Sequence, residues 1–296
     1  ATTSLPLLQR WKIFAGHGIL IFPVHPPNQV PKVIAVRGIT RHVGTTSLAA
    51  NLALLLARRN EKVLLLDLSL WNCDLTRAFG YSPASALYTL AQQFYDHESL
   101  PLEAIETSVQ RCRQNLDLLP VGEHWLEMAA LRAENGWNFV MTLLATAKAR
   151  WNFIVADLGS YQENSIERTD YIFRTANAVH AAMLFASQGI INVCDSIVYL
   201  KLWQEQASQD FSVHAKTRYI VNQYRADKPF GLEKYAVDEK MRSSSHFVPR
   251  LKSGLYPIEE GLFFVERSVA SKSFSREERT SLRELEGITS WICNIP

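Results

Sequence analysis

Short apolar runs alternate with segments of helical spacing along most of the chain, and this alternation constrains the fold more than any other feature. VIAVR (33–37), KVLLLDL (62–68), NLDLLP (115–120), NFIVADL (152–158), AVHAAMLF (178–185) and RYIVN (218–222) read as buried strands. A strand without a regular polar face must be covered on both sides, as it is in a parallel sheet held between two helical layers. The segments 45–59, 85–95, 135–150, 163–176 and 190–207 carry helical spacing between those runs. The expected fold is therefore α/β: a doubly wound, mostly parallel sheet with helices on both faces. FVPRL (247–251) adds a short strand, followed by helices near 257–265 and 275–292.

A chain of 296 residues with 47% hydrophobic and 20% charged residues can bury a core of this size. Its 31 basic and 29 acidic residues leave a net charge of +2, which announces no polyanionic partner. Residues 240–283 hold nine Lys or Arg against five Glu, an excess that reads as a solvated face, and no sequence-specific nucleic acid is expected. The longest aliphatic runs, such as LALLLA (52–57), fall far short of the roughly 20 residues of a membrane span. Cys73, Cys112, Cys194 and Cys293 are scattered without C-x-x-C spacing, which suits free thiols in a reducing, cytoplasmic setting better than a metal site. His124 and His180 read as structural. Residues 1–31 stand apart: GILIFPVHPPNQVP (18–31) holds four prolines and reads as an arm or linker ahead of a domain over 32–296.

Between the first strand and the first helix lies RGITRHVGTT (37–46). A strand, a turn of inward-facing N–H groups and a helix N-terminus together make an anion site. Glycines allow the backbone to approach phosphate, and a lysine normally neutralises the β and γ charges. Here Gly38 and Gly44 remain, the helix opens on Thr45-Thr46-Ser47, and no lysine is present.

At this loop the chain resembles the ParA/MinD family of P-loop ATPases, whose loop has the form K-G-G-x-G-K-T-T followed by a downstream Asn. In that likeness the first lysine falls at Thr40, the two glycines at Arg41 and His42, and the second lysine at Thr45. Gly44 is the retained glycine, Thr46-Ser47 the Thr pair, and Asn51 the downstream asparagine. KVLLLDLSLWNCDL (62–75) is similar to the family's second strand, with Asp67 at its first aspartate and Ser69 at the second. NFIVADLGS (152–160) resembles a Walker B strand ending on Asp157, and RYIVNQY (218–224) the strand whose asparagine, here Asn222, reads adenine. VPRLKSGLYPIEEGLFFVE (248–266), led by Pro249, looks like the loop and helix that close over the base in relatives.

The resemblance implies ATP and magnesium as cofactors, with Thr46 and Asp157 as metal ligands. The departures argue against turnover. Charged hydrogen bonds contribute roughly 1.5–3 kcal/mol each, so losing both lysines weakens triphosphate binding by about two to four decades. His42 adds a side chain where the backbone should pass close to the ligand, and Ser69 removes a carboxylate. The expectation is a degenerate, catalytically silent ATPase domain with vestigial Asp67 and Asp157. A second reading keeps an ATP-dependent switch, with Arg41 supplying a compensating guanidinium. A third, an unrelated α/β enzyme, has no nucleophile–base pair to support it.

Within the family, the lysine-poor G-T-T loop and the L-A-A-N-L-A helix start resemble the TadZ/CpaE group, which implies localisation or assembly of a Flp/Tad-type pilus or secretion machinery at a cell pole. The same G-T-T ending and LDLLPVG (116–122) also resemble BcsQ, a partner of bacterial cellulose synthesis. Either likeness implies protein partners and a cytoplasmic chain, peripheral at the inner membrane or pole through those partners. Because Thr40 cannot span a dimer as lysine does, any homodimer is expected to be independent of ATP. Leu282, Leu285, Ile288, Trp291 and Ile292 form one apolar stripe near the C-terminus. Its polar side mixes Arg276, Arg279 and Arg283 with Glu277, Glu278, Glu284 and Glu286, so packing on the domain is expected rather than membrane binding.

Overall fold

The computed structural model describes residues 30–38, 43–69, 73–82, 84–122, 136–160, 181–187, 217–224, 245–249, 251, 265–266 and 275–294. Its elements in chain order are β1 (Lys32–Gly38), α1 (Thr45–Arg58), β2 (Val63–Asp67), α2 (Asp74–Ala78), α3 (Ala86–His97), α4 (Leu102–Ser108), β3 (Gln110–Arg113) and β4 (Leu116–Leu119). They continue with α5 (Gly136–Ala147), β5 (Phe153–Ser160), β6 (Ala181–Ser187), β7 (Thr217–Tyr224), β8 (Ser245–Pro249) and α6 (Arg276–Asn294).

Among the described residues eight strands form one sheet in the order β3-β4-β2-β5-β1-β6-β7-β8. Every pairing is parallel except β3 with β4, which closes one edge as an antiparallel pair. All seven residues of β1 and all five of β2 are buried, as the apolar runs required. Successive side chains point to opposite faces. Ile34, Val36, Val63, Leu65 and Val155 therefore join one core under α1 and α6. Val33, Ala35, Leu64, Leu66, Ile154 and Ala156 join a second core under α3 and α5. The doubly wound architecture follows directly from those two faces.

The predicted helices at 163–176 and 190–207, the arm 1–29, most of 257–265, and His124, His180 and Cys194 lie outside the described residues. The expected packing of the last helix is met: Leu285, Ile288 and Ile292 are fully buried, while Leu282 and Trp291 pack partly buried against the same core. Arg59 fastens this helix from α1, donating to Ser290 Oγ at 2.9 Å and to the Glu286 carbonyl at 3.5 Å. Lys32 Nζ donates to the carbonyls of Ile292 at 3.1 Å and Cys293 at 2.8 Å. A cation thus meets the carbonyl end of α6, where the helix dipole is negative.

Three elements lie outside the sequence reading. α2 and α4 span five and seven residues, too short for a helical period to show. β3 reads QRCR and exposes three of its four residues, so it has no apolar run. The side chains around it cap its carbonyls. Tyr81 Oη donates to Arg111 O at 2.8 Å, and Arg113 Nη1 donates to Cys112 O at 2.7 Å. A shift in register between Arg111 and Arg113 distorts the strand further. Among the described residues Cys73, Cys112 and Cys293 form no disulfide, and burial pushes the Cys112 thiol up to about 12.

Candidate functional site

The carboxyl ends of the central strands β2, β5 and β1 converge beneath the start of α1. Gly44 is the residue before the helix and sits at φ 91°, ψ 30°, a left-handed conformation that favours glycine. It carries no side chain to cap the helix, and the first turn holds no acidic residue. Its carbonyl accepts the first helical bond, from Leu48 N at 3.0 Å. Thr45, Thr46 and Ser47 follow within that turn, all buried. Such a turn offers backbone N–H groups and a positive dipole end to an anion.

Two carboxylates lie on the same side of the sheet. Asp67 ends β2 and is paired in register with Asp157 of β5. Leu65 and Val155, two residues earlier, belong to the core under α1, so strand alternation directs both aspartates to that face. Asp67 is 1% exposed and Asp157 fully buried. Asp67 Oδ2 accepts from Leu75 N at 3.2 Å and Oδ1 from Ser69 N at 3.3 Å. Asp157 Oδ1 accepts from Gly159 N at 3.0 Å, where Gly159 has φ 66°. Burial, then the neighbouring Asp157 charge, hold the Asp67 carboxyl well above its ordinary 3.8, against the opposing effect of the Leu75 and Ser69 N–H bonds.

Asn222 of β7 reaches the same loop. Its Nδ2 donates to the Val43 carbonyl at 2.7 Å, across 179 residues of sequence, and the residue is 4% exposed. The asparagine expected to read a base therefore commits an amide proton to the backbone preceding Gly44. Gly38 ends β1 opposite Ser160 of β5 and Phe185 of β6. Pro249 ends β8 opposite Tyr224, three strands away from β1. The structure thus gathers Gly44, Thr45, Thr46, Ser47, Asp67, Asp157 and Asn222 at one end of the sheet, with Pro249 near its edge. Thr40, Arg41 and His42 lie outside the described residues. Arg37 escaped the sequence reading. It is 2% exposed on the face away from α1, and its only sequence signal is a charge closing the run VIAVR.

The donor set divides in two when matched against ATP and magnesium. Oxygen donors suited to a hard divalent cation are present in Thr46, Ser47, Asp67 and Asp157, and the Ser47 hydroxyl is buried with no hydrogen-bond partner. On the phosphate side the described residues offer the backbone N–H groups that open α1, beginning at Thr45, which brings no positive charge of its own. Among the described residues no group of three His, Cys, Asp or Glu could hold a metal by itself. No helix among them is long and apolar enough to cross a membrane.

A parallel sheet bearing a glycine-turned loop ahead of α1, with paired aspartates at the ends of β2 and β5, defines a ParA/MinD-type P-loop fold. Solved structures agree on that architecture. The ParA family ATPase of Chlorobium tepidum TLS superposes with a TM-score of 0.64 at 18% identity, over 89% of this chain and 99% of the other. The cell division ATPase MinD of Pyrococcus furiosus gives 0.61 at 16% identity, over 88% and 99%. The septum site-determining protein MinD of Pyrococcus horikoshii OT3, solved with Mg-ADP, gives 0.61 at 17%, over 87% and 96%. No curated protein matches the sequence significantly. The family model for the cellulose biosynthesis protein BcsQ matches residues 31–190, more than half of the chain. The chain belongs to the BcsQ family.

Proposed function

We propose that the chain is a non-catalytic ParA/MinD-type assembly factor, which uses the fold as a scaffold for recruiting protein partners to a cellulose-synthesis machinery. The observation that carries this reading is Thr45 at the opening of α1, a buried hydroxyl where an ammonium would have to stand to grip a triphosphate. Asn222 supports it, since its amide serves the loop backbone. The family description supports the choice of machinery. The pilus-assembly role of the TadZ/CpaE type is the second reading, supported by the resemblance of the loop together with the L-A-A-N-L-A helix start.

In this reading the chain is cytoplasmic, meets the membrane or pole through partners, and self-associates, if at all, without ATP. Calorimetry with ATP and magnesium tests the central point. The expected result is binding no tighter than the millimolar range and no steady phosphate release. Micromolar binding with turnover would overturn the proposal and favour the Arg41 switch, which Arg41→Ala would then abolish. Co-purification of the tagged chain with components of a cellulose synthase or of a pilus apparatus decides between the two machineries.

A further inference from the structure

Val265 and Glu266 form a helical pair on which three side chains, all distant in sequence, converge. Val265 is fully buried in the core under α1. Its N–H donates to Asn51 Oδ1 at 3.1 Å, and its carbonyl accepts from Arg58 Nη1 at 3.1 Å. The acceptor Asn51 Oδ1 and the donor Arg58 Nη1 both come from α1, two turns apart on one face of the helix. Asn51 Nδ2 also donates to the Ser47 carbonyl at 2.7 Å, within the first turn that follows Gly44. On the other side, Arg113 of β3 holds the Glu266 carboxylate with both Nε and Nη2, a bidentate pair, while its Nη1 caps Cys112 O. The pairing raises the Arg113 guanidinium above its ordinary value.

We infer that Asn51, Arg58 and Arg113 form a latch that closes on Val265–Glu266 and joins the helix behind the loop to the antiparallel edge of the sheet. Each partner of the latch is a protein group. Asn51 occupies the pivotal place because one amide side chain joins the first turn of α1 to the Val265 N–H. A change in that turn must then disturb the hold on Val265, and through Glu266 the hold on Arg113 and β3. Loop state and sheet edge are thereby coupled through a two-residue pin. The latch does not depend on the proposed lack of catalysis, since it operates between protein groups alone.

Hydrogen exchange on the full chain tests the coupling. In Asn51→Ala, amides in a peptide spanning 262–268 are expected to exchange about tenfold faster, and those of 110–113 to follow, while β5 stays unchanged as an internal control. Exchange at 262–268 equal to wild type, or faster exchange there with 110–113 untouched, would overturn the latch. Arg113→Gln, at a residue well exposed to solvent, gives the converse arm should Asn51→Ala not fold. It is expected to speed exchange at 262–268 at least several-fold, and no change there would equally overturn the inference. ATP and magnesium added to the wild-type chain separate the two proposals: protection of these peptides would contradict the absence of nucleotide binding and leave the latch standing.

Discussion

The amide of Asn222 lies so close over Gly44 that a Cβ built on the glycine would fall 2.5 Å from Nδ2. Backbone conformation and packing therefore demand glycine at the same position. Gly44→Ala faces left-handed strain of roughly 1–2 kcal/mol together with the overlap. A total loss of about 2–4 kcal/mol in denaturant unfolding is expected. The double variant with Asn222→Ala is expected to lose less than the sum of the singles, because the overlap goes with the amide while the φ strain persists. Strictly additive losses would show that the two residues do not press on each other.

The aspartate pair sets a pH dependence whose sign is fixed. The Asp67 carboxyl is held above its ordinary value, so the folded chain binds its proton more tightly than the unfolded chain does. Its contribution is fully present below the unfolded pKa, near pH 4, and is lost as pH rises through the raised folded value. Removing the facing charge with Asp157→Asn should flatten this decline. Melting temperatures measured between about pH 4 and pH 8 provide the check. Curves that run parallel in the two proteins would remove Asp157 as a cause.

Lys32 closes the carbonyl end of α6 from the first residue of β1. Lys32→Met keeps much of the apolar stem and deletes the donor, and should cost about 1–3 kcal/mol as the carbonyls of Ile292 and Cys293 lose a charged partner. The effect is expected to concentrate in α6, read as faster amide exchange over 285–294. Loosening spread evenly over the sheet would contradict a local cap.

Asp117 offers a further test, in the core at the other end of the sheet. Its Oδ2 accepts from Trp151 Nε1 at 2.9 Å, and its Oδ1 pairs with Arg111. Trp151 is 1% exposed, so Asp117→Ala leaves a buried indole N–H without this partner. A loss of about 2–4 kcal/mol is expected. Trp151→Phe in the Asp117→Ala background should cost less than in the wild type, since the stranded donor is then absent.

The central strands were legible because burial on both faces writes itself as unbroken apolar sequence, as in VIAV or FIVA. β3 was not, because an edge strand with three exposed residues has no reason to be apolar. At the site, Asp67 and Asp157 stood out as charges closing apolar runs, and Gly44 as the glycine before a helical pattern. The position of Asn222 against Val43 depends on the order in which β1, β6 and β7 are laid side by side, which local sequence does not encode. The ties to Val265 were hidden for the same reason: Asn51 was legible only as a motif residue and Arg58 as the end of a helical pattern, and their partner lies more than 200 residues further along the chain.

The stoppered carbonyls of β3 limit how this molecule can meet others. A strand arriving from another chain would find the carbonyls of Arg111 and Cys112 already engaged by Tyr81 and Arg113, on a strand whose register shifts between Arg111 and Arg113. Growth of the sheet into a continuous ribbon is disfavoured on that flank.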